Sequence, residues 1–375
     1  MTAIASPATV RNPFAHALRI MLMVAGAILL YAFVLWRALI LTGALTAGRG
    51  VPQAIVTALT DFDVIAMGFL PQAVQQTVNA LSIGAIYALI ALGYTMVYGI
   101  IELINFAHGD IFMLGAFASV VFLGAIMGQT GPVTSILPLA LLMIGALAFT
   151  MPIIGLLNVA IERTVYRPLR NAPRLAPLIT AIGMSFILQN FALIVAGSGD
   201  RSSPQVFPLT WQIPFGGASI SVLSIFIFIL SVVLMLGLQA FVGRSRLGRA
   251  MRATAQDREA SSLMGVDPNQ TIALTFLLGG MLAAAAGVVW GLRFGFVRFD
   301  LGFNSGLKAF TAAVLGGVGN ITGAVLGGFI IGFIENFAAA LGYSRWSEFL
   351  VFGVLTFVLI FKPTGIMGQH SGDRA

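Results

Sequence analysis

Residues 219–242 read SISVLSIFIFILSVVLMLGLQAFV, residues 243–269 read GRSRLGRAMRATAQDREASSLMGVDPN, and residues 270–292 read QTIALTFLLGGMLAAAAGVVWGL. Neither apolar stretch holds a charged residue, and at about 1.5 Å of rise per residue each can cross a hydrocarbon core about 30 Å thick. The joint between them carries Arg244, Arg246, Arg249, Arg252 and Arg258. Loops rich in arginine stay on the cytoplasmic side of a bilayer. The segment therefore reads as two transmembrane helices joined by an inner loop.

The same alternation extends through the chain. Of its 375 residues 58% are hydrophobic and only 9% charged, whereas a soluble domain carries about 25% charge. A water-soluble enzyme is excluded. The fold class is all-α and polytopic, with about nine or ten transmembrane segments, short or broken helices included. The chain lacks cysteine, which removes disulfides, thiolate metal sites and cysteine nucleophiles. Lys308 and Lys362 are the only lysines among 20 basic residues, and the formal charge of +7 reports orientation in the bilayer rather than nucleic-acid binding.

An apolar run at 20–36 follows Arg11 and Arg19. It is read as a retained helix and not a cleaved signal, because Trp36-Arg37 makes a poor cleavage site. Residues 38–73, broken by Pro52, Asp61, Asp63 and Pro71, go to the outer side, with a surface helix at 53–60. Further runs fall at 74–100, 106–127, 134–161 and 175–196. Counting from an inner amino terminus puts both 162–174, with Arg163, Arg167, Arg170 and Arg174, and 243–268 inside, as the distribution of positive charge requires. The joint 197–218, with Trp211, then lies outside.

The last third is ambiguous. Its pieces are 307–316, 321–341 and 347–361, parted by Gly316-Gly317-Val318-Gly319-Asn320. Ten residues rise only about 15 Å, so the first piece is no ordinary span. Three passes return the tail to the inside, and a re-entrant half-helix leaves it outside. Irregular backbone at membrane depth must be buried in protein or line a water-filled space, which makes the glycine break a candidate lining of a transport path.

Within the inner loop Asp257 is placed to cap a short helix and Gly265 to end it in the left-handed region. Ala260, Leu263 and Met264 make this helix too apolar for water, and its charges keep it out of lipid. Glu259-Ala260-Ser261, followed by Gly265, resembles the pattern by which membrane subunits of ABC importers dock on their ATPases. The resemblance assigns Arg252, Asp257, Glu259, Ala260, Ser261 and Gly265 to ATPase coupling. A basic loop lying on anionic headgroups is the plainer alternative.

Asn79 to Ala116, NALSIGAIYALIALGYTMVYGIIELINFAHGDIFMLGA, closely resembles the H-type permease subunit of branched-chain amino-acid ABC importers. So do residues 161–170, 181–190, 307–336 and 362–368. The resemblance runs over 71–368 as the permease domain. Residues 1–70 form an extension with one extra helix, and 369–375 form a tail. Asp110 stands where the family more often has Glu. The resemblance implies a multi-pass protein of the bacterial inner membrane that conducts Leu, Ile or Val. It also implies an M-type permease partner, two cytoplasmic ATPase subunits and an extracytoplasmic substrate-binding protein.

Polar groups inside spans are expensive and should face protein or water. Asn79, Tyr87, Tyr94, Asn105, His108, Asp110, Gln189, Asn190, Glu335 and Asn336 are therefore candidates for the translocation path. Each could instead bridge helices. For His108 the plain reading is a polar turn at the inner surface, hydrogen-bonded to a carboxylate or carbonyl. The chain has no G-x-x-x-x-G-K-[ST] loop, so it is expected to bind no cofactor and to leave ATP to its partners. The rivals are import of urea, short amides or other amino-acid-like ligands, and an ion-coupled secondary transporter.

Overall fold

A computed structural model describes residues 70–102, 105–170, 172–173, 175–215, 218–340 and 342–368. The expected helix at 20–36, the surface helix at 53–60 and the tail at 369–375 lie outside the described residues.

Among them eight helices are long and apolar enough to cross a membrane. In chain order the first four are α1 (Leu70–Ile101), α2 (His108–Val120, extended by a π-turn to Ile126), α3 (Ile136–Ile161, extended through Glu162–Tyr166 and Arg167–Leu169) and α4 (Leu175–Ala196). Then come α5 (Val222–Arg244), two short helices α6 (Arg246–Gln256) and α7 (Arg258–Leu263), and α8 (Pro268–Phe294). α9 (Leu301–Gly316), α10 (Ile321–Ala340) and α11 (Ser347–Phe361) complete the bundle. Among the described residues strand is confined to four pieces at one end. β1 (Arg201–Ser202) pairs with β4 (Phe296–Val297), and β2 (Gln212–Phe215) with β3 (Ala218–Ser221), both antiparallel.

The core is α1 with α8 and α10 against it, and α2 and α9 filling the space between. Helices in lipid gain little from burying apolar surface, so contact depends on close packing of small residues. Gly84, Ala88, Gly328 and Gly332 supply it where α10 crosses α1. A Cβ added to Gly84 would lie 2.8 Å from the Phe329 Cα, and one on Gly328 would lie 2.6 Å from the Ala88 Cα. α3, α4, α5 and α11 form the rim, with many apolar side chains exposed along their length.

The contacts fix the direction of each pass. The start of α1 lies beside the strands, where Gln75 Oε1 accepts from the Ser219 amide at 3.0 Å. Its end lies at the arginine-rich joints, where Arg258 meets the Ile100 and Ile101 carbonyls. α9 is a 16-residue helix, rising about 24 Å, and so is one of the shorter passes. It runs from the strand end to the arginine end, and α10 returns antiparallel to it, Gly327 against Ala312 and Gly323 against Gly316. After α11 the chain comes back under α9, with Ile366 N–H donating to the Leu315 carbonyl at 2.8 Å and Met367 N–H to Gly316 at 2.9 Å. Three passes therefore place residues 362–368 on the inner, arginine-bearing end.

That contact also packs one side of the glycine break. The last carbonyls of α9 are satisfied by the tail, Asn320 Nδ2 donates to Met367 O at 2.9 Å, and Gly317 at φ +110° is buried against Gly368. The break is thus closed by protein along one side, while Gly319 stays exposed.

Candidate functional site

At the inner end the joint between α5 and α8 is built by successive caps. Ser245 Oγ accepts from Gly248 N–H at 2.8 Å and starts α6. Asp257 breaks the helix and starts α7, its Oδ1 accepting from Glu259 and Ala260 amides at 2.8 and 2.9 Å. Gly265 ends the turn at φ +83°, and Asp267 caps α8. Three caps within about two dozen residues fix the shape of a loop that has little core of its own.

The result is a knob. Glu259 and Ala260 are exposed, and Leu263 and Met264 are 86% and 83% exposed. Arg252 turns back to the Val242 carbonyl at the end of α5. Ser261, expected on the docking side, faces inward instead at 4% exposure, its hydroxyl donating to the Arg258 carbonyl. The residue that sequence reading missed is Arg258. Its Nη2 donates to the Ile100 and Ile101 carbonyls at 3.3 and 3.2 Å, tying the knob to the last turn of α1. Only its place beside the Asp257 cap hinted at this.

A second tie runs through Glu162, which has no exposed surface and binds both Arg167 and Arg170. Arg170 Nη1 in turn donates to Asn269 Oδ1 at 2.7 Å, so the 162–170 joint grips the first turn of α8. Burial pulls the Arg170 guanidinium below its usual pKa, and the Glu162 carboxylate opposes that shift. Tyr98, Glu102, Arg170 and Arg258 share one cleft here, with Glu102 held in the left-handed region at φ 55°.

Deeper in the bundle the candidates at the α1–α2 turn come together. From Ile101 the chain doubles back so that α2 starts beside Gly93, eight residues or about 12 Å up α1. His108 is wholly buried, edge-on to the Tyr94 ring at a centroid distance of 4.8 Å. The Ile90 backbone approaches its ring, but neither nitrogen meets hydrogen-bond geometry. The surface turn expected for His108 is therefore corrected to an interior position, permitted because Gly93 leaves no Cβ in its way. Asn105 Oδ1 accepts from Tyr166 O–H at 2.7 Å. Asp110, also wholly buried, accepts from Ser185 Oγ at 2.5 Å, and Gln189 Nε2 donates to that hydroxyl at 3.0 Å. Gly302 and Gly306 of α9 pack on Gly109 and Asp110. Asn190 is on the exposed side of α4, bonded to its own Phe186 carbonyl at 2.8 Å, apart from this cluster.

The outer end holds the remaining candidates. Glu335 and Asn336 lie about one turn and a half from the end of α10. Tyr87 O–H donates to Glu335 Oε2 and Lys308 Nζ to Oε1, each at 2.6 Å. Asn336 Nδ2 donates to the Gln76 carbonyl and side chain at 2.9 and 2.8 Å. Asn79 Oδ1 accepts from Arg293 Nη2 at 3.1 Å. Lys308 escaped sequence reading because it begins the very segment taken as apolar. A half-open cleft of about 410 Å³ lies above this group, bounded by α1, α8, α9 and α10. At its mouth Arg298 pairs with Asp300 at 2.5 and 2.7 Å, which raises the guanidinium pKa.

Residues 76–359 match the family described as the permease component of branched-chain amino acid transport systems. The chain is 44% identical over 305 residues to the high-affinity branched-chain amino acid transport system permease protein BraD of Pseudomonas aeruginosa, covering 80% of this chain and 97% of that protein. It is 43% identical over 303 residues to the high-affinity branched-chain amino acid transport system permease protein LivH of Escherichia coli, with the same coverage of each. To a probable branched-chain amino acid transport permease protein LivH of Methanocaldococcus jannaschii it is 28% identical, over 75% of this chain and 88% of the other. A bundle of eight membrane-crossing helices, a capped knob at its arginine-rich end and a match through more than two thirds of the sequence agree: the chain belongs to the branched-chain amino acid transport permease family.

Proposed function

We propose that the chain is half of the transmembrane conduit of an ATP-driven importer of branched-chain amino acids in a bacterial inner membrane. An M-type permease supplies the other half, two cytoplasmic ATPase subunits supply the work, and an extracytoplasmic binding protein delivers the substrate. This chain is non-catalytic and holds no nucleotide. The observation that carries the reading is the α7 knob, where Glu259, Ala260, Leu263 and Met264 are exposed at the inner end while Arg258 joins the same six-residue helix to α1. Apolar side chains so placed need a protein partner.

The ties state how force would travel. ATPase closure pushes on α7, and Arg258 passes the displacement to the end of α1. Asp267 and the Arg170–Asn269 bond pass it to the start of α8. α1 and α8 are the most enclosed of the crossing helices and bear on α2, α9 and α10. Tilting them as rigid bodies alters the outer cleft and the Tyr94–His108–Asp110 seam together. The relatives' titles support the substrate class.

Reconstitution in liposomes tests the reading. Leucine uptake is expected only with the M-type subunit, the ATPases, the binding protein and ATP all present. Gradient-driven uptake by this chain alone would make it a secondary transporter. ATP-driven uptake of urea or short amides, with none of leucine, would move the substrate class.

A further inference from the structure

We infer that the outer cleft is a zwitterion site, in which Lys308 takes the carboxylate and Glu335 the ammonium of a small aliphatic α-amino acid. This rests on the importer reading and narrows it, by assigning substrate recognition to residues of the permease itself.

The cleft has the size of a small-molecule site, about 410 Å³ against a usual range of about 300–1,000 Å³. Its floor is an ion pair whose side chains are only 14% and 22% exposed. Tyr87 occupies Glu335 Oε2 and leaves Oε1 to Lys308. Ile83, Leu301 and the ring of Trp290, lying over Phe294 at a centroid distance of 4.0 Å, give the lining an apolar face, beside the polar Asn304, Ser305 and Glu348.

Charge balance then selects the ligand. A closed pair is neutral, and separating it where both side chains are largely buried leaves two costly charges. An anion or a cation entering alone satisfies one partner and strands the other. Urea and neutral amides offer hydrogen bonds but no ionic replacement. A zwitterion inserted between Nζ and Oε1 gives each a partner of opposite sign in charge-assisted hydrogen bonds and adds no net charge to a cleft that Glu348 also lines. The Tyr87 hydroxyl keeps Glu335 oriented during the exchange, and the Trp290–Phe294 face receives the aliphatic group. The Lys308–Glu335 bond thereby serves as the resting lock of the site.

The first test uses the purified complete transporter without binding protein. Its tryptophan fluorescence is titrated with L-leucine, with 4-methylpentanoate, which lacks the ammonium, and with 3-methylbutylamine, which lacks the carboxylate. A saturable change with leucine alone, abolished by Trp290→Phe, is expected. No saturable response to leucine, or an equal response to either analogue, overturns the inference. In proteoliposomes the Lys308→Met/Glu335→Gln double variant keeps the packing and removes both charges. Its leucine uptake is expected to fall at least tenfold at unchanged recovery of the assembled complex, and uptake within twofold of wild type overturns the inference. Should the double variant not assemble, the fluorescence titration of the wild-type complex decides. Wild-type complex that takes up no leucine at all refutes the importer reading instead, so the two failures are distinct.

Discussion

Arg258, the first residue of α7, places one guanidinium nitrogen against the last two carbonyls of α1, Ile100 at 3.3 Å and Ile101 at 3.2 Å. Those carbonyls have no partner within their helix and carry the negative end of its dipole, so a cation there is stabilised. The next residue along α7, Glu259, is exposed on the knob. One short helix thus holds its outward face and its inward tether on adjacent residues.

Separating tether from face gives the first prediction. Arg258→Gln keeps a donor of shorter reach and removes the charge, at a cost of about 1 kcal/mol in stability. Capture of the ATPase subunits should stay within twofold of wild type, while leucine uptake per ATP hydrolysed drops at least fivefold. Unchanged coupling in proteoliposomes would leave Arg258 a purely structural cap.

Glu259→Lys probes the other side. It reverses an exposed charge without touching the Asp257 cap, whose bonds are to main-chain amides of Glu259 and Ala260. Membrane insertion and thermal stability should be unaffected, within about 0.5 kcal/mol for a surface change. Co-purification of the ATPases should fall at least tenfold. Retained capture together with normal uptake would remove Glu259 from the docking surface.

Residues with local consequences were legible in the sequence, and those acting through long-range contact were not. Asp257 and Gly265 were found because a cap and a left-handed terminator are set by a few neighbouring residues, and the spans because a bilayer demands length and apolarity. The Arg258 tether and the Lys308–Glu335 bond join positions 158 and 27 residues apart, and nothing in spacing along the chain encodes them. The depth of His108 was misjudged for a similar reason. A turn flanked by Glu102 and Asp110 reads as surface, and only the smallness of Gly93 on the neighbouring helix lets the imidazole pass inside.

That fit is itself testable. A Cβ on Gly93 would fall on the His108 imidazole and 3.1 Å from the Gly279 carbonyl. Overpacking of a close core costs about 1–3 kcal/mol, so Gly93→Ala should melt lower in detergent. Adding His108→Ala opens the space and should restore most of the loss. A double variant no more stable than Gly93→Ala would mean that the strain lies against α8, at Gly279, and not against the ring.

The last prediction concerns the charge buried where α3 ends. Glu162 has no exposed side-chain surface and holds two arginines that differ sharply, since Arg170 is 13% exposed and Arg167 36%. Removing one member of a buried pair strands the other, at about 3 kcal/mol, whereas breaking a half-exposed pair costs about 0.5 kcal/mol. Glu162→Gln leaves Arg170 with Asn269 as its remaining neutral partner and loosens the grip on the first turn of α8. It should lower the melting temperature in detergent clearly, and Arg167→Gln should scarcely move it. Arg170→Gln belongs with Glu162→Gln, because it leaves the buried carboxylate facing Arg167 alone. If Glu162→Gln and Arg167→Gln melt together, water reaches this corner and the tie between the 162–170 joint and α8 has no mechanical value.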